Sequence, residues 1–222
     1  SHTDLFTPCD GKLADRPVRP VAEPQAQGTG FPEANTVLRA SRTDAGVHAY
    51  GNVAVFDTES TMPGDRFTFA LNRFLPDSIA IQDSWEVSSD FHPRHCNTRK
   101  TYEYRILNTT VPLPQKRNFT WHVAGSIDIE KMKEAAAYIV GEHDFKSFCC
   151  VRTQAESTVR TIYSLEVLQE GSEILICIKG NGFLYNMVRI ITGTLIQVGK
   201  GRFKPEYVKQ MLEAKDRTVA GQ

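Results

Sequence analysis

The 222 residues carry 26 Lys and Arg against 26 Asp and Glu, with 41% apolar and 23% charged side chains, the balance of a globular chain with room for one domain or two small ones. A net charge of zero excludes nucleic-acid binding by whole-molecule attraction, so RNA or DNA contact has to come from a local basic surface. No apolar run is long enough to cross a bilayer, and the opening residues carry no basic-then-apolar signal segment, so the expectation is a cytoplasmic chain away from membranes.

Residues 1–36 hold Pro8, Pro17, Pro20, Pro24 and Pro32 among Gly, Asp, Gln and Ala, with no sustained periodicity, and read as a poorly ordered arm. Order is expected from Val37. Asn52–Phe56 (NVAVF) reads as a buried strand. After Pro63 and Gly64, the spacing of Phe67, Ala70, Leu71 and Phe74 predicts a helix ending before Pro76. Residues 79–81 and 85–87 read as short strands or connections. In "KTYEYRI", Tyr102, Tyr104 and Ile106 alternate with Thr101, Glu103 and Arg105, which predicts a strand with one aromatic face.

A loop with Pro112 and Pro114 marks a seam, dividing the chain into an N-terminal half over 37–110 and a C-terminal half over 111–222. Asp128 is placed to cap a helix with Ile129, Met132, Ala136 and Ile139 on one stripe, closed by Gly141. Residues 161–168 and 174–179 predict a hairpin turning through "QEGSE". A helix is expected from Phe183 to Val198, stopped by Gly199, and a last one from Pro205 with Val208, Met211 and Leu212 inward. Helices mixed with at least one hairpin give an α+β fold with an antiparallel or mixed sheet.

Five cysteines (Cys9, Cys96, Cys149, Cys150, Cys177) in no repeated spacing argue for a reducing compartment, against a disulfide framework and against a structural zinc. His92 and His95 share a loop with Pro93 rather than a helix face. A Cys–His hydrolase using Cys149 or Cys150 with His143 is one possible chemistry, opposed by the apolar neighbours Phe148 and Val151.

The segment "SRTDAGVHA" concentrates Arg42, Asp44, Gly46 and His48 just before a strand. An Asp near Gly is common in plain turns. A carboxylate on a fixed turn at a strand edge is equally how a nucleophile or base is presented. On the predicted helix after Phe183, 100° per residue places Arg189 opposite the apolar sector and on the side of Gly193, either as a solvated arginine or where another chain or a nucleic-acid backbone approaches. Tyr102 and Tyr104 are either core or a stacking platform for an unstacked base. Arg99, Lys100, Arg105, Lys116, Arg117, Arg152 and Arg160 are available for phosphate contacts or are ordinary surface.

Periodicity does not name a reaction, but five ordered stretches resemble one family. "SRTDAGVHA", "KTYEYRI", "GEHDFKSF", "GNGFLYNMVRIITGTL" and "AKDRTVAG" are similar to the motifs of the TruA-type tRNA pseudouridine synthases, over Val37 to Gly221. The resemblance implies a mixed, largely antiparallel central sheet with flanking helices, in two α+β halves around an RNA cleft. It also implies a homodimer acting on tRNA rather than DNA, with no metal or organic cofactor. The implied activity is uridine-to-pseudouridine isomerisation in the anticodon arm, at tRNA positions 38–40. By position, Asp44 resembles the catalytic carboxylate and Arg42 the residue that helps displace the target base. Tyr102 resembles the aromatic at the target and Arg189 the ion-pair partner of the Asp, while Phe183 and Leu184 are expected to line the pocket. The family also begins with a strand carrying a Tyr-Asp-Gly-Thr-like motif and continues into a final strand after "DRTVAG". Residues 1–36 match neither that strand nor the helix after it, so a sheet short of strands at both ends is expected. The alternative within the family is an impaired relative that only binds tRNA.

Overall fold

The computed structural model describes residues 37–40, 47–94, 99–150 and 155–220. The Pro-rich arm, Arg42, Asp44, His95, Cys96 and Arg152 lie outside these residues. The chain divides into two compact units, one within Gly11–Cys96 and one within Asn97–Gln222.

In the first unit, β1 (Leu38–Arg39) pairs antiparallel with β2 (Ala54–Val55), Leu38 opposite Val55. The expected buried strand over 52–56 is thus two residues long, and Phe56 is exposed, because among the described residues its only sheet partner is the equally short β1. A 3-10 turn, Gly64–Arg66, leads into α1 (Phe67–Asn72). Ser84 ties that entry, its Oγ accepting from the Thr68 N–H at 2.9 Å and donating to the Gly64 carbonyl at 2.7 Å. The edge of Phe67 meets Phe56 at 5.8 Å. The helix stops short of Pro76, leaving Phe74 66% exposed instead of on a buried stripe. Residues 79–81 and 85–87 are connections. Asn72 satisfies one of them, donating to the Ile81 carbonyl and accepting from the Ile81 N–H, both at 2.8 Å.

The second unit is built on a five-stranded sheet. Its strands are β3 (Lys100–Leu107), β4 (Trp121–His122), β5 (Gly141–Asp144), β6 (Val159–Glu170) and β7 (Glu173–Gly180), in the order β4-β3-β7-β6-β5. Only the β3–β4 pair is parallel, so the sheet is mixed and largely antiparallel. The predicted hairpin is β6–β7, and the predicted aromatic strand is β3. Period-two alternation puts Tyr102, Tyr104 and Ile106 opposite Ile178, Ile176 and Ile174, three isoleucines with no solvent exposure. The loop carrying Pro112 and Pro114 joins β3 to β4 within this one sheet. Glu173 braces it, pairing with Lys116 from the loop and with Arg105 from β3 at 3.7 Å.

Three helices bury their apolar faces in the same core: α2 (Ile129–Ala137), α3 (Met187–Gly199) and α4 (Tyr207–Ala214). Asp128 caps α2 as expected, accepting the Lys131 N–H at 3.1 Å, a bond that holds its carboxyl below the usual range. The stripe Met132, Ala136 and Ile139 is buried, as are Val208, Met211 and Leu212 on α4. The expected start of the third helix at Phe183 is corrected by Asn186. It takes a left-handed conformation at φ 61, so regular α3 begins only at Met187. Nor does α3 keep a solvated side: Ile190 to Ile196 are all buried, and Arg189 is exposed in the first turn. Where α3 ends, it packs tightly on the entry to α2. The Asp128 N–H donates to the Gly199 carbonyl at 2.9 Å, and a Cβ on Gly199 would stand 2.7 Å from Ile127 Cγ2 and 2.9 Å from Met132 Cγ.

The far end of the sheet is tied by charge. Asp144, last residue of β5, accepts from Thr158 Oγ1 at 2.5 Å and pairs with Lys215 Nζ at 3.1 Å, just past α4. The Thr158 hydroxyl, with burial opposing it and Lys215 and the Lys146 N–H adding to it, holds the Asp144 carboxyl below the usual range.

Two outcomes follow from these contacts. Gly199→Ala gains up to about 1 kcal/mol of helix propensity but overpacks against Ile127 and Met132. Urea unfolding should therefore show a net loss of about 1–2 kcal/mol with the m-value unchanged. The stability supplied by the depressed Asp144 carboxyl is fully present above the ordinary carboxylate pKa of about 4 and is lost as pH falls through it toward the lowered folded value. Asp144→Asn should lower the melting temperature at pH 7 and flatten its fall below pH about 4, read from thermal scans across pH.

Candidate active site

β7 ends at Gly180 because the chain must turn back there. A Cβ at this position would lie 2.9 Å from the Thr161 carbonyl oxygen and 3.3 Å from Phe183 Cζ. Without one, the Phe183 ring folds over the strand ends and meets Tyr102 of β3 edge-on, at 5.1 Å and 86°. Asn181 locks the return, its N–H donating to the Thr161 carbonyl and its Oδ1 accepting the Thr161 N–H, both at 3.0 Å. Tyr102 and Phe183 are both half-buried against the core, whereas Leu184 is 5% exposed within it. Two of the predicted residues are thus in direct contact, and the third is buried in the core they pack against.

The left-handed Asn186 then sets the rotation of α3. The Ile190 N–H donates to the Asn186 carbonyl and the Cys150 N–H to the Tyr185 carbonyl, at 3.0 and 3.1 Å. The helix is consequently registered so that Arg189 and Ile190 face a pocket of ≈ 280 Å³ shared with Cys150, Asn186 and Arg217. Arg217 reaches it from Arg217–Val219, the 3-10 turn after α4. Asp216 builds that turn: its carboxylate accepts the Thr218 N–H at 2.9 Å, and its own N–H donates to the fully buried Ser147 Oγ at 2.8 Å. The Thr218 N–H holds the Asp216 carboxyl below its usual range. Residues of "GNGFLYNMVRIITGTL" and "AKDRTVAG" thereby meet at one basic pocket, with Cys150 just past "GEHDFKSF". A larger depression of ≈ 440 Å³ beside β4 is lined by Leu113, Arg117 and Trp121 among others, and holds none of the predicted site residues.

Arg42 and Asp44 lie outside the described residues, and His48 is half-buried. Sequence reasoning assigned no role to Arg217, Ser147 or Asn186. The available signal was the Asp-x-Thr spacing of Asp216 and Thr218, which marks an Asx turn and so a fixed direction for the side chain between them. Most basic residues proposed for phosphate are engaged within the protein. Arg105 and Lys116 are held by Glu173, Arg160 donates to the Ser157 and Val159 carbonyls, and Arg99 lies over the Tyr163 ring at 5.2 Å.

The thiol chemistry finds little footing. Burial pushes the Cys149 thiol up, away from the reactive thiolate, and its Sγ is bonded to the Lys146 carbonyl at 3.4 Å. Cys150 departs from the expected burial and is partly accessible at the pocket. His143 Nε2 is hydrogen-bonded to the Val140 carbonyl at 3.1 Å. Among the described residues no group of three or more His, Cys, Asp or Glu could hold a metal ion. No helix there is long and apolar enough to cross a membrane.

Comparison with known proteins bears out the family resemblance. A family model described as tRNA pseudouridine synthase matches residues 135–222. Over 185 residues the chain is 48% identical to tRNA pseudouridine synthase A 2 of Clostridium perfringens (strain 13 / Type A), covering 83% of this chain and 76% of that protein. With the same coverage it is 45% identical to tRNA pseudouridine synthase A of Thermoanaerobacter sp. (strain X514) and 48% identical to that of Brevibacillus brevis. Identity of this extent, over 83% of the chain, means that the chain belongs to the TruA-type tRNA pseudouridine synthase family.

Proposed function

We propose that this protein isomerises uridine to pseudouridine in the anticodon arm of tRNA, with Asp44 as the catalytic carboxylate. The observation that carries the reading is the convergence of two separate motif stretches on the basic pocket beside Arg189, in a chain 45–48% identical to proteins named tRNA pseudouridine synthase A. The proposal includes a homodimer in the cytoplasm.

The chemistry sets the demands. The N1–C1′ bond breaks, the uracil turns, and a C5–C1′ bond forms, with the C5 proton lost and N1 protonated. None of these atoms is reachable in a stacked base, so the nucleotide must be flipped out, with Arg42 helping to displace it. A detached uracil has to be retained, and the Tyr102 ring against Phe183, backed by Leu184, supplies an apolar wall suited to a planar base. Asp44 has to be ionised whether it attacks C1′, attacks C6 or removes a ribose proton. Arg189 as its partner favours that form and offsets the cost of taking the charge out of water.

The test uses a tRNA transcript carrying tritium at C5 of uridine, which loses tritium to water only when C5 becomes the glycosidic carbon. Wild-type protein should release it at anticodon-arm positions. Asp44→Asn should lower the rate more than about 10³-fold while still binding the transcript. A wild-type protein that binds tRNA without release would leave only the binding relative. Equal rates for Asp44→Asn and wild type would remove Asp44 from the chemistry. Tyr102→Ala should cost about 1–3 kcal/mol in kcat/KM, about 5- to 150-fold, through lost stacking.

A further inference from the structure

We infer that Arg217 is a second cationic anchor for the substrate RNA, holding a backbone phosphodiester through its guanidinium at the pocket it shares with Arg189. This rests on the proposed RNA-modifying function and adds a substrate-binding residue to it.

The segment around Arg217 sorts its charges. Lys215, held in a left-handed conformation at φ 51, turns back to pair with Asp144 at 3.1 Å. The Asp216 carboxylate is used within its own turn, on the Thr218 N–H. Arg217, which follows directly, pairs with no carboxylate among the described residues. Among the described residues its one hydrogen bond runs from Nη1 to the Ala220 carbonyl at 3.2 Å. The remaining N–H donors of the guanidinium fork are left for the pocket.

The mount is too well built for an idle surface cation. Ser147, with no exposure, fixes the Asp216 backbone at 2.8 Å, the Asx turn fixes Thr218, and Ala220 is buried to 8%. A half-buried guanidinium is therefore presented in one direction on a stiff three-residue turn. Arg189 enters the same pocket from α3, and among the described residues no carboxylate lines it. A planar fork of parallel N–H donors matches the non-bridging oxygens of a phosphodiester. With Arg189 assigned to Asp44 in the proposed mechanism, Arg217 is the charge left over for the substrate. Arg105, Lys116 and Arg160, by contrast, are already satisfied by protein groups.

The experiment compares wild type with Arg217→Gln and Arg217→Lys for binding of a full-length tRNA transcript across salt, and for turnover on it. Gln keeps a donor for the Ala220 carbonyl and removes the charge; Lys keeps a point charge without the fork. For Arg217→Gln, the slope of log K against log salt should shrink by about 0.7–0.9, one phosphate contact. Its KM should rise about tenfold with kcat within about threefold of wild type. Arg217→Lys should keep the slope and lose part of the affinity. A folded Arg217→Gln with wild-type slope and KM overturns the proposal, as does a loss confined to kcat. Wild-type binding without pseudouridine formation would remove the proposed isomerase while the salt slope still decides the contact. A wild-type protein that binds no tRNA would remove both.

Discussion

At the end of β7 the backbone passes so close to the Thr161 carbonyl that a single methyl group at position 180 would stand 2.9 Å from it. That close approach lets Phe183 fold back onto Tyr102, and it delivers the chain to Asn186 in a position to start α3 with a left-handed residue. The rotation of α3 about its axis follows, and with it the direction of Arg189. The geometry of the basic pocket is thus decided by a strand end and a cap, upstream of the helix that carries the charge.

A second constraint comes from the polar ties around Asp144 and Ser147. These two residues, three apart in the chain, hold Lys215 and Asp216, so the segment after α4 is registered against the end of β5 by an ion pair and a hydrogen bond. A partly exposed ion pair contributes little to stability on its own. Here its larger effect is orientation, because an Asx turn locked at both ends directs the intervening Arg217 to the wall where Arg189 already stands. The core beneath, from Ile174, Ile176 and Ile178 to Ile191 and Leu195, supplies the rigidity that lets such short polar contacts be specific.

The paired arginines, the aromatic wall and the family membership make one chemical picture. A flipped pyrimidine needs a flat apolar surface for its ring, a cation to keep the catalytic carboxylate ionised, and a grip on the adjoining backbone. In the proposed mechanism, Tyr102 with Phe183, Arg189 and Arg217 are assigned to those needs. Burial pushes the Cys149 thiol up, which disfavours it as a nucleophile.

The amino-acid sequence by itself determined whatever is governed by short-range periodicity and local hydrogen bonding. The alternation of Tyr102, Tyr104 and Ile106, the β6–β7 hairpin, the Asp128 cap and the inner face of α4 all depend on residues within a turn or two of each other. The motif order also carried the family. Tertiary structure alone decided where apolar spacing was ambiguous. Phe183 and Leu184 fit a helical stripe, but the close packing at Gly180 and the left-handed Asn186 put them in a turn. Phe74 fits another stripe, yet α1 ends at Asn72, whose amide is spent on the Ile81 backbone. For Arg217 the Asx-turn spacing marked a fixed direction but not the pocket it faces, because Ser147 and Asp144, which hold the neighbouring Asp216 and Lys215, lie about seventy residues earlier and meet them only once the chain has folded.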